Sequence, residues 1–349
     1  MASGIPADGT GASAQGGDVV RRPTIGLALG GGGARGLAHI LALEAFDELG
    51  LKPAVMAGTS IGAVFAAAYA SGYSAAQIRA HTEEVLKSRV DILRQAFSAR
   101  QQPLQKMLSV LSLRSALVNA EALVDLVMPT RVARDFAELQ IPLHIVAADF
   151  HDQGQVVLSH GALRKAVAAS MALPVIFAPV TNDDRTLLDG GLVNPLPFDL
   201  IDGAADIIVA VNVSGAGRLA DDRSTPSALE TVVSSLHILQ RTIVEEKLRS
   251  RRPDILIEVD VGRFHVLEFH KLRDVLEAAA PAKALLKHRL QRVLGAETLD
   301  HHSLPASAAP DKLSAPGGVT GRGFVEPHRQ GGKGTATQRR LADRLLGKP

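Results

Sequence analysis

The chain predicts an α/β fold: a central, mainly parallel sheet sandwiched between helices in three layers. Three observations carry this. Residues 24–29 and 54–57 are short apolar runs with a helix-spaced stretch between them, the pattern of a βαβ unit. IPLHIVAAD at 141–149 and DIIVAVNV at 206–213 are apolar almost throughout, as strands covered on both faces must be. Helix-like stretches at 120–128, 163–171 and 228–249 alternate with these runs.

The elements follow in order. After the strand at 24–29 come four glycines, 30–33, and then a helix from about 34 to 49, with Leu37, Ile40, Leu41, Phe46 and Leu49 at helical spacing. Gly50 suits its C-cap and Pro53 opens the next segment. A helix over 63–70 follows the second strand. Residues 75–140 read as mostly helical, most clearly at 120–128, with Asn119 as N-cap and Pro129 as stop. Residues 104–118 are apolar enough for a lid or a bilayer contact, although buried packing explains them as well. An edge or hairpin strand is expected at 155–159, a helix at 163–171 ended by Pro174, and extended segments at 175–179 and 185–188. The long helix at 228–249 leads to a strand at 254–259. A helix at 271–294 is expected to break near Pro281.

Composition narrows the function. With 349 residues the chain can bury a large core. Aromatic residues make up 3% and tryptophan is absent, which argues against base-stacking surfaces, so no nucleic-acid partner is expected. A formal charge of +2 gives no global attraction to polyanions. No cysteine occurs, which excludes disulfides, thiolate metal sites and a cysteine nucleophile. Residues 1–22 are rich in Gly, Ala and Ser and read as a disordered leader rather than a secretory signal. A cytoplasmic location is expected on that ground, with membrane association left open. Residues 54–72 are uncharged and long enough for a membrane span. Gly58, Thr59, Ser60 and Gly62 break them into strand, turn and helix, and a buried helix is apolar all round for the same reason. From about 299 to the end, Ser, Pro, Gly, His and Arg dominate. A flexible tail is expected there, with 337–346 as a short basic amphipathic helix or plain solvated chain.

The chemistry concentrates in three places. Gly58-Thr59-Ser60-Ile61-Gly62 sets a serine between glycines, after a strand and before a helix, as in a nucleophile elbow. The flanking glycines remove Cβ atoms that would clash in so tight a turn. The helix N-terminus beneath offers free N–H groups to developing negative charge. The run Gly31, Gly33, Gly36 matches G-x-G-x-x-G, as in dinucleotide sites. However, the ribose-binding acid expected after the second strand is missing, and the elbow stands in its place. The other reading is an oxyanion hole, with Gly32 and Gly33 as donors. Arg35 would hold that loop or bind an anionic group. Asp189-Gly190-Gly191 places a carboxylate at the end of an extended segment, where it is either the base for Ser60 or a turn former. His39, His144, His301, His302 and His328 have no supporting motif as a base; His265 and His270 fit that role least badly. No metal site emerges: Asp183-Asp184 and Asp221-Asp222 read as solvated turns.

Taken together and in this order, GGGARG at 31–36, GTSIG at 58–62 and DGG at 189–191 resemble the patatin-like phospholipase family, over roughly residues 24–202. The segment 169–174 (ASMALP) looks like the family's run before the aspartate strand, and 254–270 resembles the bacterial branch related to the neuropathy target esterase catalytic domain. The resemblance implies a three-layer α/β/α fold and a Ser60–Asp189 dyad without histidine, metal or cofactor. It implies Gly32 and Gly33 as oxyanion donors, with Gly31, Arg35, Gly36, Gly58, Gly62, Gly190 and Gly191 supporting the motifs. Glycine stands at 191 where many members carry alanine. The implied chemistry is hydrolysis of a lipid ester through an acyl-serine, with peripheral membrane contact and an open oligomeric state. On this reading 23–298 is the hydrolytic domain, with a catalytic core at about 24–202, an extension at 203–298 and a tail at 299–349. Regulation by a cyclic nucleotide is not implied. An acyltransferase using the same acyl-serine, or a non-catalytic regulator on the same fold, are the alternatives.

Overall fold

A computed structural model describes residues 22–88, 118–215 and 228–300 of the chain. Eight strands form one sheet: β1 (Ile25–Leu29), β2 (Val55–Thr59), β3 (Leu143–Asp149), β4 (Gln155–Leu158), β5 (Val180–Asn182), β6 (Arg185–Asp189), β7 (Ile207–Asn212) and β8 (Ile255–Glu258). Strands β3, β2, β1, β7 and β8 run parallel to their neighbours in that order. Strands β4, β5 and β6 are antiparallel additions beyond β3. The mainly parallel sheet expected from the sequence is therefore present.

The helices are α1 (His39–Glu48), α2 (Ile61–Ala70), α3 (Ala75–Ser88), α4 (Ala120–Val127), α5 (Leu163–Ser170), α6 (Ala228–Ser250) and α7 (Leu272–Asp300). The larger core lies on one sheet face, where Leu27, Leu29, Ile145 and Val209 pack with side chains of α1, α2, α5 and α7. The opposite face is thinner. Ala28, Ala57 and Ala210 meet Phe198 and Ile201 of a short 3-10 turn, with Val244 of α6. Val233, near the other end of α6, belongs to the larger core. Helix α6 thus spans from one layer to the other. Every residue of α2 is buried, in keeping with a helix inside a sandwich. Among the described residues no helix is long and apolar enough to cross a membrane.

Several boundaries differ from the sequence reading. The helix expected from residue 34 starts as a 3-10 turn, Gly33–Ala38, because contacts of Arg35 and Gly36 described below tighten it. Between 129 and 140 the chain is turns and one 3-10 turn at Phe136–Glu138, capped by the Asp135 carboxylate, rather than helix. Residues 89–117, which include nearly all of the apolar 104–118 stretch, lie outside the described residues. The extended segment expected at 175–179 is a turn, with Val175 at φ 72°, and the strand is displaced to Val180–Asn182. Asp183 and Asp184, both at positive φ, make the tight turn between β5 and β6. Helix α7 continues through Pro281 and past residue 298. Interior proline costs about 3 kcal/mol. Burial of Leu276, Ala279, Leu286 and Leu290 offsets it, as do ion pairs from Lys283 to Glu44 and Glu48 of α1. The Asn119 N-cap is in place, accepting from the Ala122 N–H at 3.1 Å.

Central-strand packing should dominate stability. Leu27→Ala, at a fully buried site on β1, is expected to cost about 3 kcal/mol. Leu285→Ala, at a side chain 40% exposed, should cost less than about 0.5 kcal/mol. Urea unfolding of both variants at equal m-value checks this pair; comparable losses would contradict the assignment of the core.

Candidate active site

In an open parallel sheet, ligands gather at the carboxyl ends of the strands where the strand order reverses. Here the reversal is at β1, between β2 and β7. The glycine loop leaves β1 and the serine elbow leaves β2 at that end.

Ser60 follows β2 directly, with φ 53° and ψ −125°. This left-handed region is costly for a residue with a Cβ. Surrounding bonds hold it there. The Ser60 N–H donates to Ser170 Oγ at 2.8 Å, and the Ser60 carbonyl accepts from the Ala63 N–H at 2.9 Å. The glycines around it are sterically required. A Cβ on Gly58 would stand 2.7 Å from the Ala63 Cα, and one on Gly62 would overlap the Leu29 carbonyl of β1.

Asp189 reaches Ser60 through the sheet. Ile145 and Val146 of β3 pair with both β2 and β4, while Ala147 and Ala148 pair with both β4 and β6. A strand has two edges, so β2 and β6 must share one of them. Thr59 is paired with Val146 and Asp189 with the next residue, Ala147. The strand end that carries Asp189 therefore abuts the elbow that carries Ser60. Ser60 Oγ donates to Asp189 Oδ2 at 2.7 Å. Gly191 N–H donates to Asp189 Oδ1 at 2.7 Å. A Cβ on Gly190 would overlap the Val146 carbonyl, so this bend accepts only glycine there.

Asp189 is 2% exposed. Burial pushes its carboxyl up to about 6, with the bonds from Ser60 and Gly191 opposing that rise.

The glycine loop lies against the same cavity. Gly32, Gly33, Ser60 and Asp189 all line it. The Gly30 and Gly31 N–H groups are spent on the Val211 and Pro195 carbonyls. Those of Gly32 and Gly33 have no hydrogen-bond acceptor among the described residues. Gly33 has φ 57°, and a Cβ there would overlap the Val266 carbonyl. Gly36 likewise leaves room for Ile61, the residue after Ser60. The N–H groups that would hold a dinucleotide pyrophosphate are taken: Ala34 donates to Val266 and Arg35 to Gly32. That speaks against the dinucleotide reading of this loop.

Arg35 clamps the loop and is not available to a substrate anion. It is 4% exposed. It donates through Nε to the Phe264 carbonyl at 2.7 Å, through one terminal nitrogen to Ser214 at 2.8 Å and through the other to Gly262 at 3.2 Å. It also contacts His237 Nε2. Burial lowers its pKa to about 10.

Sequence reasoning missed several partners. Ser170 closes α5 and is fully buried; a small polar residue ending an apolar helix was the available signal. His39 donates to the Gly30 carbonyl at 2.8 Å and fixes the start of the glycine loop; burial lowers its pKa to about 4. Lys247 of α6 donates to Asn194 Oδ1 at 2.6 Å and pairs with Asp199, anchoring the chain beyond Asp189. Thr59 donates to the Asn194 carbonyl at 2.8 Å. His237 and Gln240, also on α6, line the cavity. His265 and His270 are exposed and do not line it. His301, His302 and His328 fall outside the described residues. The rest of the lining is mainly apolar and includes Leu123, Met171, Leu173 and Phe177.

Ionised Asp189 should cost stability. Its folded-state pKa lies above its unfolded value, so protonation is favoured in the fold. The cost is absent below about pH 4, grows as pH rises and is complete above about pH 6. The rise from 3.8 to about 6 corresponds to about 3 kcal/mol. Asp189→Asn is therefore expected to raise the melting temperature at pH 8 and to lose that gain near pH 4. A variant no more stable than wild type at pH 8 would show that the carboxylate is better solvated than its burial implies.

A family model described as patatin-like phospholipase matches residues 27–202. An NTE family protein of Mycobacterium tuberculosis is 33% identical over 223 residues, covering 62% of this chain and 58% of that protein. Patatin-like phospholipase domain-containing protein 6 of Homo sapiens is 31% identical over 193 residues, covering 54% of this chain and 13% of that protein. The crystal structure of VipD from Legionella pneumophila covers 76% of this chain and 67% of that chain, at 16% identity and a TM-score of 0.42. The chain spans about half the length of the mycobacterial relatives it matches, 58% of one and 46% of another. With half of its length under one family model, which includes the glycine loop, the elbow and the aspartate motif, the chain belongs to the patatin-like phospholipase family.

Proposed function

We propose that this protein is a serine lipid acyl hydrolase, of phospholipase, lysophospholipase or esterase type, that works through a Ser60–Asp189 dyad. The observation that carries the reading is the 2.7 Å bond from Ser60 Oγ to Asp189 Oδ2, made by a serine on a strained elbow. Family membership and the apolar cavity support a lipid ester as substrate. A peripheral contact with a lipid surface follows from such a substrate. The chemistry asks for no cofactor.

The steps balance on these residues alone. Ser60 Oγ attacks the ester carbonyl carbon as its proton passes to Asp189 Oδ2. The carbonyl oxygen becomes an oxyanion held by the Gly32 and Gly33 N–H groups, aided by the positive end of α2. The carbon–oxygen bond to the alcohol breaks, and the alcohol leaves with the proton from Asp189. Water then attacks the acyl carbon and gives its proton to Asp189. The bond to Oγ breaks, and the proton returns to Ser60. The carboxylate must be ionised to begin, so activity should fall about tenfold per pH unit below about pH 6. An ordinary aspartate would defer that fall to about pH 4. A rate that holds level from pH 7 to pH 4 in a folded enzyme would exclude Asp189 as the base.

Labelling with a fluorophosphonate probe tests the nucleophile. Wild type should label, Ser60→Ala should not, and Asp189→Asn should label at least about a hundredfold more slowly. A folded wild type that does not label would favour a non-catalytic role for the fold. Product analysis with an added alcohol separates hydrolysis from transfer: free acid as the main product supports the hydrolase, and a new ester an acyltransferase.

A further inference from the structure

Besides Ser60 and Asp189, two polar side chains line the cavity among the described residues: His237 and Gln240, one turn apart on α6. Gln240 is 9% exposed. Its amide fills the space beside Gly191. An added Cβ at Gly191 would overlap Gln240 Nε2, and would stand 2.9 Å from Asp189 Oδ1 and 3.0 Å from Gln240 Cδ. The Gln240 amide and the Asp189 carboxylate thus flank one small volume, held open by glycine at 191.

The amide has a defined direction. Gln240 follows the His237 ring by one turn of α6 along the cavity wall. That ring is in turn set against Arg35 and the Ser214 carbonyl. The NH2 end is the one beside Gly191. No acceptor is bonded to it among the described residues, so a donor stands next to the dyad in an otherwise apolar cavity.

The mechanism needs a donor there. The alcohol oxygen leaves from a point within reach of Asp189. The water oxygen must attack from the same point, since deacylation retraces acylation with water in place of the alcohol. We infer that Gln240 donates through Nε2 to this exchanging oxygen, first that of the departing alcohol and then that of the attacking water. The inference rests on the hydrolase reading above. Such a bond aligns the water's proton with Asp189 and its lone pair with the acyl carbon.

The test separates the two half-reactions in the full-length protein. Gln240→Leu and Gln240→Met both remove the donor. Fluorophosphonate labelling should stay within about twofold of wild type, since it needs only Ser60 and its base. With p-nitrophenyl butyrate, whose leaving group needs no proton, the burst should persist while the steady-state rate falls roughly tenfold. Acyl-enzyme should then accumulate by intact mass. Gly191→Ala should slow deacylation likewise, because its methyl displaces the amide, and adding Gln240→Leu to it should cost little more. Steady-state rates unchanged in both Gln240 variants would overturn the inference. So would equal losses of labelling and turnover, which mark damage to the fold or dyad. A folded wild type that neither labels nor forms an acyl-enzyme removes the hydrolase reading, and this inference with it.

Discussion

The edge of β3 that β2 abandons after Thr59 is the constraint on which the site depends. At Ser60 the chain turns out of the sheet and enters α2 at once. Ala147, Ala148 and Asp149 then face a vacant edge, and buried unpaired backbone groups are costly. Strand β6 fills the vacancy in antiparallel register. Its last residue, Asp189, falls opposite Ala147, one step beyond the pair of Thr59 with Val146. The meeting of serine and aspartate is thus a consequence of ladder register, and register is a strongly specified quantity in a buried sheet. The glycines at 58, 62 and 190 are what that meeting demands of the backbone. Each sits where a Cβ would strike a neighbouring main chain.

The parts of this arrangement that were legible in the sequence are the local ones. The elbow, the glycine loop and the Asp-Gly-Gly bend are each defined by a few adjacent residues whose backbone demands show in composition. The buried strands at 143–149 and 207–212 were legible because they are apolar on both faces. What escaped was long-range or polar. Ser170 supports Ser60 from 110 residues away. The Arg35 clamp joins residues more than 170 positions apart. Helix α6 presents His237, Gln240 and Lys247 inward, yet its sequence reads as an ordinary mixed surface helix. Proline at 281 misled for a related reason: local propensity cannot register that α7 is held along α1 by packing and by Lys283.

Two opposite charges are buried at the site, and they are not paired with each other. Arg35 is satisfied by three carbonyl oxygens, on both sides of the 216–227 segment. It pulls the loop at 262–266 down on the glycines, and Val266 fills the space that Gly33 leaves. Among the described residues Asp189 has two donors, the Ser60 hydroxyl and the Gly191 N–H, and no cation within hydrogen-bond distance. The cation is satisfied locally and lends little to the acid. That asymmetry leaves the Asp189 carboxylate high in energy, while the loop beside it is held by Arg35.

An imidazole stands in the same cavity, which raises the question of why the serine should not use it. His237 Nε2 is occupied by the Arg35 guanidinium and the Ser214 carbonyl, and burial beside that cation lowers its pKa to about 4. A ring whose affinity for a proton is so lowered is a poor acceptor for the Ser60 proton. The described structure gives the Ser60 hydroxyl one acceptor, Asp189. A carboxylate of ordinary pKa would also be a weak base at neutral pH, because proton transfer to it is uphill by several pH units. Burial without a counter-ion raises Asp189 to about 6, the range in which an imidazole titrates. Under the proposed mechanism, desolvation of the acid thus takes over the part that histidine plays in a triad. On that mechanism two residues suffice, because the fold bears the cost of keeping one of them dry.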